Sequence, residues 1–150
     1  MKKVIVIIGV LILLITSVLA FPYVYNNCVL YNIERDLKNA DLGSDVVILD
    51  SKSVCGKLNG NGNGMNFFAA VLIESDLSVA EVEANLATLK EKYEMVEVAE
   101  ASSTTIQSVY LEHATIVFDQ SFFDGNDETL MVVYAYESSG GIMIGDIRAH

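Results

Sequence analysis

Residues Asn66–Tyr93 read NFFAAVLIESDLSVAEVEANLATLKEKY, and the change of rhythm inside this stretch sets the fold class. Asn66–Ser75 is almost continuously apolar, as a strand is when it sits centrally in a sheet. Ser78 and Glu81 then form an S-x-x-E capping box, in which the two side chains satisfy the free backbone N–H groups of a helix start. Val82, Leu86, Leu89 and Tyr93 follow at helical spacing and line one face of that helix.

Working outward, the stretches on both sides are strand-like. Ser44–Asp50 (SDVVILD) and Lys52–Leu58 (KSVCGKL) are β-branched runs separated by turn residues, and read as two strands. Beyond the helix come Glu94–Ala101, Thr104–Leu111, His113–Asp119, Thr129–Glu137 and Ile142–Arg148, all strand-like. Asp124-Gly125-Asn126-Asp127 and Ser138-Ser139-Gly140-Gly141 supply turns between the later ones. Short connections force antiparallel pairing. The expected architecture is α+β, an antiparallel sheet packed on one main helix.

The first segment stands apart. Lys2 and Lys3 precede an uncharged run from Val4 to Tyr25, about 22 positions against the ~20 that a spanning helix needs. Such a run predicts a membrane anchor over residues 1–26, with Tyr23 and Tyr25 suited to the interfacial aromatic belt. A cleaved signal segment is the competing reading, for which Val18-Leu19-Ala20 would serve as the cleavage site. Either places residues 27–150, a single domain, outside the cytoplasm, since Lys2 and Lys3 stay inside. Leu30, Ile33, Leu37 and Ala40 recur at helical spacing and predict a short juxtamembrane helix, which Gly43 can end.

Export changes how the cysteines are read. Cys28 and Cys55 are an even pair that an oxidising compartment can join in one disulfide, and two separate thiols are the alternative. Charge narrows the partners. Without Lys2 and Lys3 the chain keeps seven basic residues against twenty acidic ones, which argues against nucleic acid as a partner. From Tyr93 to Ile147 there is no Lys or Arg, while Glu94, Glu97, Glu100, Glu112, Asp119 and Glu137 all fall there. That half is either a solvated surface or one that attracts cations or a basic partner.

The connection CGKLNGNGNGM, residues 55–65, holds three Asn-Gly pairs: Asn59-Gly60, Asn61-Gly62 and Asn63-Gly64. It is no phosphate loop, because Gly56-Lys57 lacks both the upstream glycine and a following Ser or Thr. The G-x-G-x-G spacing and the strand behind it also fail the dinucleotide fingerprint. Asn59, Asn61, Asn63 and Gly64 fit the start of an EF-hand-like loop, but Ala70 stands where the bidentate glutamate belongs and every side-chain ligand is neutral. What remains is a wide turn between two strands, or a ligand- or partner-binding loop whose backbone N–H groups form an anion nest.

A second cluster is GDIRAH, residues 145–150. On a strand, Asp146, Arg148 and His150 alternate onto one face, giving an ion pair beside an imidazole. A bland edge-strand salt bridge is the simpler reading.

Catalytic signatures are sparse. His113 and His150 are the only histidines, with no close-spaced zinc motif around them. Cys55, His113 and Arg148 are the residue types that sortases use, but sortases place the histidine before the cysteine in a T-L-x-T-C strand, whereas here SVCGK precedes it. No G-x-S-x-G elbow is present. The anchor, CGKLNGNGNGM, SDLSVAEVEANL and the closing DIRAH together resemble small predicted membrane-anchored or exported proteins of Gram-positive bacteria. That resemblance implies a cell-surface setting and brings no activity with it. The expectation is therefore a non-catalytic binding module that needs no cofactor or metal. Its recognition residues would be Asn59–Gly64 with Asp146, Arg148 and His150, and its partner an envelope protein or peptide. The alternatives are a cation-responsive module and a cysteine enzyme.

Overall fold

The computed structural model describes residues 2–123 and 130–150, so the turn expected at Asp124–Asp127 lies outside the described residues. Helix α1, Lys2–Lys38, comes first. At 1.5 Å per residue it is about 55 Å long. Its opening part is fully exposed and is long and apolar enough to cross a membrane. The boundary expected at residue 26 falls inside this helix, so the span and the juxtamembrane helix are one element. No glycine or proline interrupts the stretch after Pro22, and the apolar positions simply change partner, from surroundings to sheet.

Four strands follow: β1 (Val47–Gly56), β2 (Asn66–Glu74), β3 (Met95–Glu100) and β4 (Leu130–Glu137). They form one antiparallel sheet in the order β1-β2-β4-β3. The two strands expected at Ser44–Asp50 and Lys52–Leu58 are the single strand β1, whose register slips between Ile48 and Asp50. The β-bulge falls at Leu49, while Ser51, which reads as a turn in the sequence, is paired in register opposite Val71.

The central pair, β2 and β4, is buried on both faces. On one face Phe67, Ala69, Val71, Ile73, Met131, Val133 and Ala135 pack beneath Ile33 and Leu37 of α1 and beneath Val82, Leu86 and Leu89. Those last three lie on α2 (Val79–Asn85) and α3 (Ala87–Lys92). The capping box is present: the Ser78 hydroxyl accepts from the Glu81 N–H, and Glu81 Oε2 accepts from the Ser78 N–H at 2.8 Å. The single helix expected after it is divided at Leu86, which drops into the core while Asn85 Nδ2 donates to the Leu42 carbonyl at 3.2 Å.

On the opposite face Phe68, Ala70, Leu72, Val132, Tyr134 and Tyr136 are covered by Leu111, Ile116 and Phe118. These come from the stretch where two further strands were expected, Thr104–Leu111 and His113–Asp119. Among the described residues it makes only an isolated bridge, Thr105 with Val117. Its apolar side chains serve as a lid over a face that would otherwise be wet, so their β-like pattern reflects burial rather than pairing.

Polar ties fix α1 to the domain. Glu34 accepts from Ser51 Oγ at 2.8 Å and Ser53 Oγ at 2.6 Å, both on β1, and from Lys38 Nζ at 2.6 Å. Asp36 accepts from Tyr93 Oη at 2.6 Å and from Lys92.

Candidate functional site

The end of the sheet nearest the apolar half of α1 is where β1 stops at Gly56 and β2 starts at Asn66. The Asn-Gly connection and the segment Ile142–His150 meet there through their backbones. The Lys57 N–H donates to the Arg148 carbonyl at 2.7 Å, and the Gly64 N–H donates to the Ala149 carbonyl at 3.0 Å. Gly56 is needed for this approach: its φ is +149°, and a Cβ there would lie 2.8 Å from the Arg148 carbonyl oxygen.

The loop is pinned on its other flank as well. Asn59 Nδ2 and Asn66 Nδ2 both donate to Tyr136 Oη, at 3.2 and 3.0 Å. The Tyr136 ring stacks on Tyr110 with centroids 4.4 Å apart. The Gly60 N–H donates to Glu112 Oε2 at 3.0 Å, the Gly60 carbonyl lies 2.8 Å from His113 Nε2, and the His113 N–H donates to the Leu58 carbonyl at 2.9 Å. Between these ties Asn61, Gly62 and Asn63 form an exposed tip. Asn59 therefore points at Tyr136 and not into the centre of a calcium loop. Among the described residues no group of three or more His, Cys, Asp or Glu is placed to hold a metal ion.

The segment expected as the strand Ile142–Arg148 is instead an irregular stretch ending in a 3-10 turn, Ile147–Ala149. Gly145, at φ +86°, turns the chain toward α1, and the Asp146 carboxylate caps the turn by accepting from the Arg148 N–H at 3.1 Å. The Asp146–Arg148 pair exists, but its origin is local capping geometry and not alternation along a strand. Arg148 Nε donates to Oδ1 at 2.9 Å and Nη2 donates to Oδ2 at 2.6 Å, a bidentate fork on a carboxylate that is 1% exposed. His150 is exposed beyond this pair.

Residues of α1 complete the network, and sequence reasoning missed them. Asn26 is fully buried and its Nδ2 donates to Asp146 Oδ2 at 2.9 Å. The same amide bonds both backbone groups of Ile142, accepting its N–H at 2.9 Å and donating to its carbonyl at 2.9 Å. Arg148 Nη1 donates to Asn27 Oδ1 at 3.1 Å, and the guanidinium lies 4.2 Å over the Tyr23 ring. The available signal was that Asn26 and Asn27 are the first amide side chains after the apolar run. The Arg148 fork holds the Asp146 carboxyl well below the usual carboxylate range; burial opposes this, and the Asn26 amide adds to it. Asp146 in turn raises Arg148.

Of the two readings of the cysteines, the structure has the separate thiols, Cys28 exposed on α1 and Cys55 buried at the end of β1. Burial pushes the Cys55 thiol up, against the lowering influence of Arg148. An activated nucleophile needs the opposite shift. The hollows described are shallow. One of about 100 Å³ is lined by Ala99, Ser102, Thr105, Gln107 and Tyr134, and an open groove of about 470 Å³ runs along α1 past Tyr23, Asn27, Cys28 and Tyr31. Neither sets a nucleophile beside a base.

Compared with protein-family models, curated proteins and solved structures, the chain gives no match.

Proposed function

We propose that this protein is a single-pass, membrane-anchored domain held outside the cytoplasm in a bacterial envelope. It acts as a non-catalytic binding module for an envelope protein or peptide. The observation that carries this reading is the unbroken course of α1 from an exposed apolar span into the core of the sheet. A helix built that way sets the domain at a defined height and orientation at the bilayer surface, which is what a docking module requires. Lys2 and Lys3 before the span support the outward orientation. Cleavage after Ala20 would spare every α1 residue that packs on the sheet, so the domain's own contacts do not need the span, and retaining it serves location.

Recognition is assigned to the tip Asn61–Asn63, which a rigid frame presents to solvent with amide donors and acceptors and with backbone close at hand. Glu112 beside it and Glu94 and Glu137 at the same end of the sheet favour a partner with basic groups over an acidic one.

The test uses the full chain with Cys28→Ser and Asn61→Cys, expressed in a bacterial host. The reading predicts that the protein stays with the membrane through an alkaline wash and that a membrane-impermeant maleimide labels Asn61→Cys in intact cells. Recovery in the soluble fraction, or labelling only after lysis, would defeat it.

A further inference from the structure

We infer that the Met143–Ile147 segment is a second membrane contact, a pair of isoleucine side chains that dip into the bilayer interface beside the helix that anchors the domain. This rests on the anchored reading above.

Ile144 and Ile147 are each 86% exposed and Met143 is 44% exposed, although the domain has apolar cores that could have housed them. The segment has a fixed height on α1. Asn26 bonds both Ile142 and Asp146, and a Cβ at Gly145 would lie 3.3 Å from Pro22 Cγ. The two isoleucines thus flank residues pinned at the level of Pro22–Asn26. The run of α1 without charged or amide side chains ends at Tyr25, so this is the level at which the helix leaves the hydrocarbon, within about one 5.4 Å turn.

Two further observations favour lipid over a protein partner. The segment abuts α1 at Pro22, within about one turn of the exposed span residues Val18, Leu19 and Phe21. Tyr23 and Arg148 lie together at the same level, an aromatic ring and a guanidinium of the kind that sit at headgroup depth. Two contacts on one side, helix and loop, would fix the domain's tilt as well as its height.

The chain contains no tryptophan, so a single introduced one is an unambiguous reporter. Ile144→Trp, made in the full chain and reconstituted into phosphatidylcholine vesicles with brominated acyl chains, is compared with Leu11→Trp in the span and Val47→Trp at the far end of β1. Val47 is about 30 Å along the strand from Gly56. Burial at the headgroup–acyl boundary predicts that Ile144→Trp loses about half its emission to the bromines, with a blue-shifted maximum, while Val47→Trp is unaffected. Quenching at Leu11→Trp with none at Ile144→Trp or at Ile147→Trp, made as a second site, overturns the contact and leaves anchoring intact. Quenching at none of them overturns anchoring too.

Discussion

The side-chain amide of Asn26 lies 2.9 Å from the carboxylate of Asp146, across 120 residues of sequence, in the interior of the protein. One residue belongs to the helix whose first part is long and apolar enough to cross a membrane, and the other caps the turn Ile147–Ala149. Their bond makes the exit of that helix a part of the domain.

Asn26→Ala is expected to lower stability by about 2–3 kcal/mol, because it strips partners from both backbone groups of Ile142 and from a buried carboxylate at once. Thermal unfolding of the detergent-solubilised full chain measures it. A loss no greater than that of an exposed α1 control such as Asn32→Ala would show that the network does not hold the segment.

Asp146 makes the same region sensitive to acid. Its folded pKa lies below its unfolded one, so its stabilising contribution is complete above the unfolded value, about 3.9, and is lost as pH falls below it. Midpoint temperature should therefore drop more steeply below about pH 4 in the native protein than in Asp146→Asn. Asp146→Asn should itself cost about 2 kcal/mol at neutral pH by removing the charged acceptor for Arg148. Parallel profiles would contradict the assignment.

Substitutions along the glycine-rich connection should separate structural from recognition roles. Gly56→Ala meets the Arg148 carbonyl and is expected to cost about 2–3 kcal/mol. Gly62 has open space around the Cβ position, and Gly62→Ala should leave stability within about 0.5 kcal/mol. Chemical denaturation of both variants checks the contrast. Equal losses would mean that the loop tip is part of the packed structure.

The cysteines provide a chemical check. A small maleimide should modify Cys28 in the native protein and reach Cys55 only after denaturation, because Cys55 is buried and its thiol is pushed up. Rapid native labelling of Cys55, read by mass spectrometry, would reopen the cysteine-enzyme alternative.

Local signals were the legible part of this fold. The capping box at Ser78 and Glu81, the doubly buried strand at Asn66–Glu74 and the apolar run before Asn26 are each written in a few neighbouring residues. Long-range tertiary choices were hidden. Ile116 and Phe118 carry a strand pattern but lie as cover on the second face, since a buried surface selects the same residue types as a strand does. In the candidate site, the meeting of Asn59–Gly64 with Arg148 and Ala149 was a question that the sequence posed. Its answer depends on backbone hydrogen bonds, which carry no side-chain signature. Asn26 was overlooked because an asparagine after an apolar run looks like the start of a linker.

The central claim is that α1 is one rigid element from bilayer to sheet, without a hinge at its exit. Hydrogen–deuterium exchange over residues 20–32 of the full chain in lipid nanodiscs tests it most directly. The account predicts slow exchange through Asn26, Asn27 and Cys28 that continues without a break into Ile33, and faster exchange there in Asn26→Ala. Fast exchange at Asn26–Cys28 in the native protein, between two protected stretches, would show a flexible linker and contradict it.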